Sequence, residues 1–213
     1  MSPEEVARFL RSNPGFFEQH ADLLATILVP HPHGGRAIPL SERQLVALRD
    51  RNRSLEGKLG ELIQFGEEND TIGSKVHALA VILLRVTTLD GALGCLYGSL
   101  HDDFAVPHVA IRLWRGTGDG GEFASVGESQ IAYATNLIQP FCGPSEGMAA
   151  AHWFSGAADH VRSIAMVPIR DAEGTFGLIA LGSEEPRRFY PEMGTLYLSR
   201  IGELVSAVIG RLL

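Results

Sequence analysis

Gly143-Pro144-Ser145-Glu146-Gly147 spells GxSxG, the pattern in which a serine on a sharp strand-to-helix turn becomes the nucleophile of acyl transfer. That chemistry needs an acid and then a base later in the chain, and no plausible pair follows Ser145. Pro144 also fits such an elbow poorly, so Ser145 reads as a turn or helix-capping residue. Cys142 would be a reactive thiol if its thiolate were exposed, but no second cysteine or base stands near it, which favours a structural role. Gly116 to Gly121 satisfies GxGxxG. Pyrophosphate binding requires a helix after those glycines and a surrounding βαβ unit, whereas the residues that follow read as a strand near Phe123. The glycines are therefore expected to form a flexible hairpin loop.

Histidine offers little more. The pairs His31 and His33, His101 and His108, and His152 and His160 have neither the HxxxH nor the CxxC company that brings three or four zinc ligands together. His31-Pro32-His33 reads as a surface loop. His101 beside Asp102 and Asp103 reads as a helix-end cap or a weak cation site. No metal and no cofactor are expected.

The elements that must position these residues begin with a long helix. Leu45, Leu48, Leu55, Leu59 and Leu62 recur at three-four spacing with Asn52 in the one gap. With Leu45, Asn52 and Leu59 at a and Leu48, Leu55 and Leu62 at d, this is a coiled-coil seam, and a lone Asn at a specifies a parallel pair. Arg51 at g and Glu56 at the following e set opposite charges across that pair. A homodimer is expected. Past Leu62 the seam weakens through Gly66, Asn69 and Gly73 before Val76, Ala80 and Leu83 restore it, which marks 66–73 as a kink or boundary.

At 213 residues and 45% hydrophobic, the chain can bury one substantial core plus an arm. A formal charge of −7 argues against broad, nonspecific attraction to nucleic acid or anionic lipid and leaves only a local basic patch for either. The start, MSPEEVARFL, has acids where a signal peptide needs basic residues, and no apolar run spans a bilayer. Two separated cysteines fit a reducing compartment. A cytoplasmic protein with no membrane partner is expected.

Along the chain, Ser2-Pro3-Glu4-Glu5 opens a short helix. Phe16 to Leu28 holds one or two more, and Val29 to Gly35 is a loop. Ser41 with Gln44 makes a capping box for the seam helix. After Thr88 the pattern changes. A helix over Leu89 to Phe104 is followed by an alternating strand, Val106 to Trp114, and by helical stretches at Ile131 to Ile138 and Met148 to Phe154. Ser163 to Arg170 and Thr175 to Gly182 form a hairpin, and a final helix starts at Pro191. The domains expected are 1–40 (short helices and loop), 41–87 (heptad helix) and 88–213. The fold class is α+β, an antiparallel sheet flanked by helices.

Ser163 to Ile169 (SIAMVPI), Gly174 to Ser183 (GTFGLIALGS), Phe189-Tyr190-Pro191 and the last helix resemble the C-terminal half of a GAF domain. Phe9 to Phe17 (FLRSNPGFF), Pro30-His31, Ser41 to Gln44 (SERQ), Phe141-Cys142-Gly143 and Gly182 to Phe189 (GSEEPRRF) extend the match. With them the chain resembles, over nearly its whole length, the bacterial domain-of-unknown-function family 484, a GAF-like family with a helical N-terminal arm. The resemblance brings no established activity. It implies a small-molecule site between one sheet face and the helices over it, involving Arg112, Trp114, the turn from Phe141 through Cys142 to Ser145, and His152 to Phe154. Trp114 as an aromatic wall and Arg112 as a cation would suit a flat or anionic ligand. The competing reading of Trp114, Trp153 and Met166 is plain core. The chain departs from the specialised GAF groups, having no contiguous cyclic-nucleotide signature, no bilin-attachment cysteine and too few cysteines for a thiol-based sulfoxide reductase. Three readings follow in order: a non-catalytic sensory or regulatory dimer that binds a small molecule or a protein partner; an interaction scaffold with a packed core; and, distantly, a hydrolase or thiol-redox enzyme.

Overall fold

A computed structural model describes residues 2–29 and 38–213, with backbone alone at 24–26, 28–29 and 38–42. The expected loop histidines His31 and His33, the Pro30-His31 pair and the Ser41 side chain of the capping box lie outside what it describes. The chain divides into two units, 1–67 and 68–213.

In the first unit, α1 (Pro3–Ser12) starts where the sequence places it. The Ser2 hydroxyl accepts from the Glu5 amide at 3.2 Å, and the Glu5 carboxylate accepts from the Ser2 amide at 2.7 Å. This reciprocal cap satisfies two amides that a helix start leaves without partners. The short helices α2 (Phe16–Gln19) and α3 (Ala21–Thr26) follow. Phe16 packs edge-on against Phe9 and Phe17, with ring centroids 6.0 and 5.2 Å apart. The two-residue strands β1 (Leu28–Val29) and β2 (Ile38–Pro39) pair antiparallel.

The long helix α4 spans Leu40–Arg85. Where a kink or boundary was expected, at 66–73, the helix itself runs on through the stretch, since each glycine costs it only about 1 kcal/mol, while the division into units falls there, between 67 and 68. Its seam leucines at 45–62 are exposed. Further along, Val76, Leu79 and Leu83 are buried in the second unit. Leu79 therefore takes the core position expected of Ala80, which is only half-buried.

The second unit is the expected α+β fold. Strands β3 (His108–Leu113), β4 (Phe141–Pro144), β5 (Ser163–Asp171) and β6 (Gly174–Ser183) form one antiparallel sheet in the order β3-β6-β5-β4. Gly174 closes the β5–β6 hairpin at φ +129°, a conformation open to glycine alone among common residues. On the first face Ile111, Val167 and Ile179 are buried with Leu96 of α5 (Leu89–Gly98) and Ile201 and Val205 of α7 (Leu196–Leu212). The Thr88 hydroxyl caps α5 as expected, accepting from the Gly91 amide at 3.3 Å, and one π-helical turn, Ser99–Asp103, extends that helix.

Three local expectations are corrected. The residues near Phe123 form a 3-10 turn, Gly121–Phe123, rather than a strand. Phe123 tucks its ring against Gly118, where a β-carbon would come within 2.4 Å of it. Phe141–Pro144 is a strand rather than a turn, registered against Ser163 to Met166, and Pro144 ends it where no ladder amide is required. The last helix begins at Leu196 after Thr195, not at Pro191.

Candidate functional site

Strand alternation divides the expected site residues between the two faces of the sheet. The register aligns Phe141 with Met166, Ala180 and Ala110 in one row, and Cys142 with Ala165, Leu181 and Val109 in the next. The Phe141 row belongs to a second, smaller core with Phe154, Val161 and Leu178, whereas Cys142 lies in the main core beneath α7. Cys142 is thus not brought together with the others. Burial pushes its thiol up to about 11, the direction expected where an anion is desolvated.

Arg112 and Trp114 lie on the second face, as alternation requires, and both are half-buried rather than in open solvent. The Arg112 guanidinium stacks over the Trp153 ring, 5.3 Å from its centroid, and its Nη1 donates to the Ile111 carbonyl at 2.9 Å. The Trp114 indole donates to the Thr175 carbonyl at 2.9 Å. Val109, Ile111 and Leu113 face the main core. Neither an orphaned cation nor a free aromatic edge results, because each polar head has a partner.

A cavity of about 350 Å³ opens on this face, between the sheet residues Met166 and Leu178 and the helix α6 (Glu128–Asn136). Its walls are Met148 and Trp153; Ser129, Gln130 and Tyr133 of α6 supply the polar groups. The Gln130 side-chain oxygen accepts from the Gly127 amide at 3.1 Å, which fixes that side chain over the helix start. Burial raises the Tyr133 phenol above its ordinary value, so it stays a neutral donor. None of the lining side chains carries a formal charge.

Ser145 and His152 line an adjoining cleft of about 600 Å³ with Glu146, Asp159 and Arg162; Gly147, Met148 and Ala149 border both spaces. The Ser145 hydroxyl donates to the Val161 carbonyl at 2.6 Å and its amide to the Arg162 carbonyl at 3.2 Å. A hydroxyl used to pin a turn has its proton committed to the backbone. His152 is exposed. A third cavity of about 450 Å³ runs beside α7, with Arg170, Asp171 and Glu203 in a mainly apolar lining; the Arg170 guanidinium bonds the Leu137 carbonyl and Asp171 pairs with Arg115.

Sequence reasoning missed Ser129, Gln130, Tyr133 and Met148 and read Met166 as plain core; Trp153 it reached only within the stretch His152 to Phe154. Met166 had a signal in β5 alternation; the α6 residues had none, because what a short helix covers is a tertiary fact. Among the described residues, no cluster of three or more His, Cys, Asp or Glu is placed to hold a metal. Among them, too, no helix is long and apolar enough to cross a membrane.

The family model described as "Protein of unknown function, DUF484" matches residues 1–213. The chain belongs to that family. No curated protein matches the sequence of this DUF484 chain. Among solved structures it is similar to the A. aeolicus nlh2 GAF domain in an inactive state, at 15% identity and a TM-score of 0.49, over 67% of this chain and 98% of that one. At that identity and score, neither ligand nor partner carries over from the A. aeolicus protein.

Proposed function

We propose that this DUF484 protein is a non-catalytic, GAF-like sensory or regulatory module, dimeric through α4, that holds a small molecule on the second face of its sheet. The observation that carries the reading is the cavity under α6. It has aromatic and thioether walls and a few oriented polar groups, the composition of a ligand site. Its lack of charged lining favours a flat, uncharged molecule over the anion that Arg112 suggested, since that guanidinium is stacked behind Trp153 instead. Coupling follows if ligand binding favours one arrangement of the sheet and its helices and a dimer partner reads that choice. The two enzymatic alternatives are disfavoured by the same contacts that hold the fold. The Ser145 proton is given to a carbonyl, and the Cys142 thiol is buried and kept protonated.

The test is mass spectrometry of small molecules released by denaturing protein purified from its own host. The wild type should release one compound that is absent from Ala149→Trp, which fills the cavity from its lining. Empty extracts from both would refute the ligand half. The packed scaffold would then stand, supported by the exposed leucine stripe of α4.

A further inference from the structure

We infer that the partner-facing seam of α4 ends at Leu62, because the helix changes heptad phase there and commits its next apolar stripe to its own protomer. The inference rests on the dimer reading above and fixes the surface that the second copy covers.

From Leu45 to Leu62 the seam alternates three and four residues. A second series, Phe65, Asn69, Ile72, Val76, Leu79, Leu83 and Val86, alternates just as regularly. Between them, Leu62 to Phe65 is a step of three where four is due, a three-residue phase break. The two series have different fates from Ile72 onward, whereas Phe65, which opens the second, is 57% exposed. Leu45, Leu48, Leu55, Leu59 and Leu62 are 52% to 67% exposed, whereas Val76, Leu79 and Leu83 are 7%, 0% and 2% exposed. Ile72 and Val86 pack against the same core as those three.

A partner helix that kept to the first phase beyond Leu62 would meet Gly66, Asn69 and Gly73, which offer no apolar side chain, and then Val76 and Leu83, which are already buried. One that followed the second phase would have to pull Leu79 out of its core. On the seam phase, α4 therefore offers a second copy the 18 residues from Leu45 to Leu62, about 27 Å of helix. In a parallel pair Arg51 at g faces the partner's e position, occupied by Glu56, and Asn52 meets its own copy at a. That charge and amide complementarity selects a second copy of this chain as the occupant. The division of the chain between residues 67 and 68 falls a few residues past the phase break.

Oxidative cross-linking of single-cysteine additions in the full chain tests this, with the unmodified protein as blank, because Cys142 is buried and Cys95 half-buried. Asn52→Cys and Leu59→Cys should form interchain disulfides in high yield, and Asn69→Cys should form at least tenfold less. Equal cross-linking at 52, 59 and 69 in a protein that sediments as a dimer would overturn the phase-break inference and leave the dimer reading intact. A dimer with no cross-linking at 52 or 59 would overturn the assignment of the seam. Monomers by sedimentation would refute the dimer reading itself. As a second arm, Gly66→Leu with Asn69→Leu extends the first phase past the break and should tighten the dimer at least tenfold; unchanged dissociation would count against the inference.

Discussion

Arg112 lies over the indole of Trp153, with its guanidinium carbon 5.3 Å from the ring centroid and Nη1 anchored on its own strand's carbonyl. The arginine thus stiffens the wall of the cavity from behind. Arg112→Ala is expected to destabilise the protein by about 1 kcal/mol, the range of a half-buried cation–π contact plus a hydrogen bond. Urea unfolding checks this, and a change below about 0.3 kcal/mol would show the stack to be incidental.

Leu55→Asp with Leu59→Asp should abolish the dimer by placing charge in the seam, while thermal unfolding of the α+β unit changes little. Leu79→Ala should do the reverse, retaining association but losing about 2–5 kcal/mol through an unfilled core cavity. Sedimentation and denaturant melts on both variants separate the two stripes of α4. If the double mutant stays dimeric at low micromolar concentration, the seam is not the interface.

Asn52→Leu should raise the melting temperature of the dimer and broaden its oligomeric state, because a polar a position trades stability for a specified pairing. A strict dimer of lower stability would contradict this.

The Cys142 thiol, raised to about 11 by burial, makes stability depend on pH in the alkaline range. The unfolded thiol ionises first, so the folded state's advantage is complete below about pH 8.5, falls as pH rises, and is gone above about 11; at most about 3 kcal/mol is involved. Cys142→Ala should flatten this part of the stability profile. Iodoacetamide at pH 8 should leave Cys142 of the folded protein unmodified, as judged by mass spectrometry.

Ser145→Ala should cost about 1 kcal/mol by removing the bond to Val161. Ester hydrolysis over a substrate panel should stay at background before and after. Rates above background that vanish in the variant would restore the nucleophile reading.

Much of this architecture was legible from period and punctuation. The β5–β6 hairpin announced itself through two apolar runs and a glycine, and α1 and α5 through Ser2 and Thr88. Phe141–Pro144 was not legible as a strand, because four residues ending in Gly-Pro carry turn composition and become a strand only through their register with β5. The seam was legible as far as Leu62. Beyond it, reading one heptad phase through to the end hid Leu79, since the sequence shows an apolar stripe but not which surface will bury it. The site was half legible. Alternation correctly put Arg112 and Trp114 on one face, while the separation of Phe141 from Cys142 required knowing that both lie on a strand.

The short fourth strand also governs how copies of this protein can meet. β4 presents one outer edge of the sheet, yet it offers four residues ending in a proline, too little ladder to template a neighbour's strand. Side-by-side sheet growth, the usual route from a β-edge to insoluble aggregate, is blocked on that side by geometry rather than by charge.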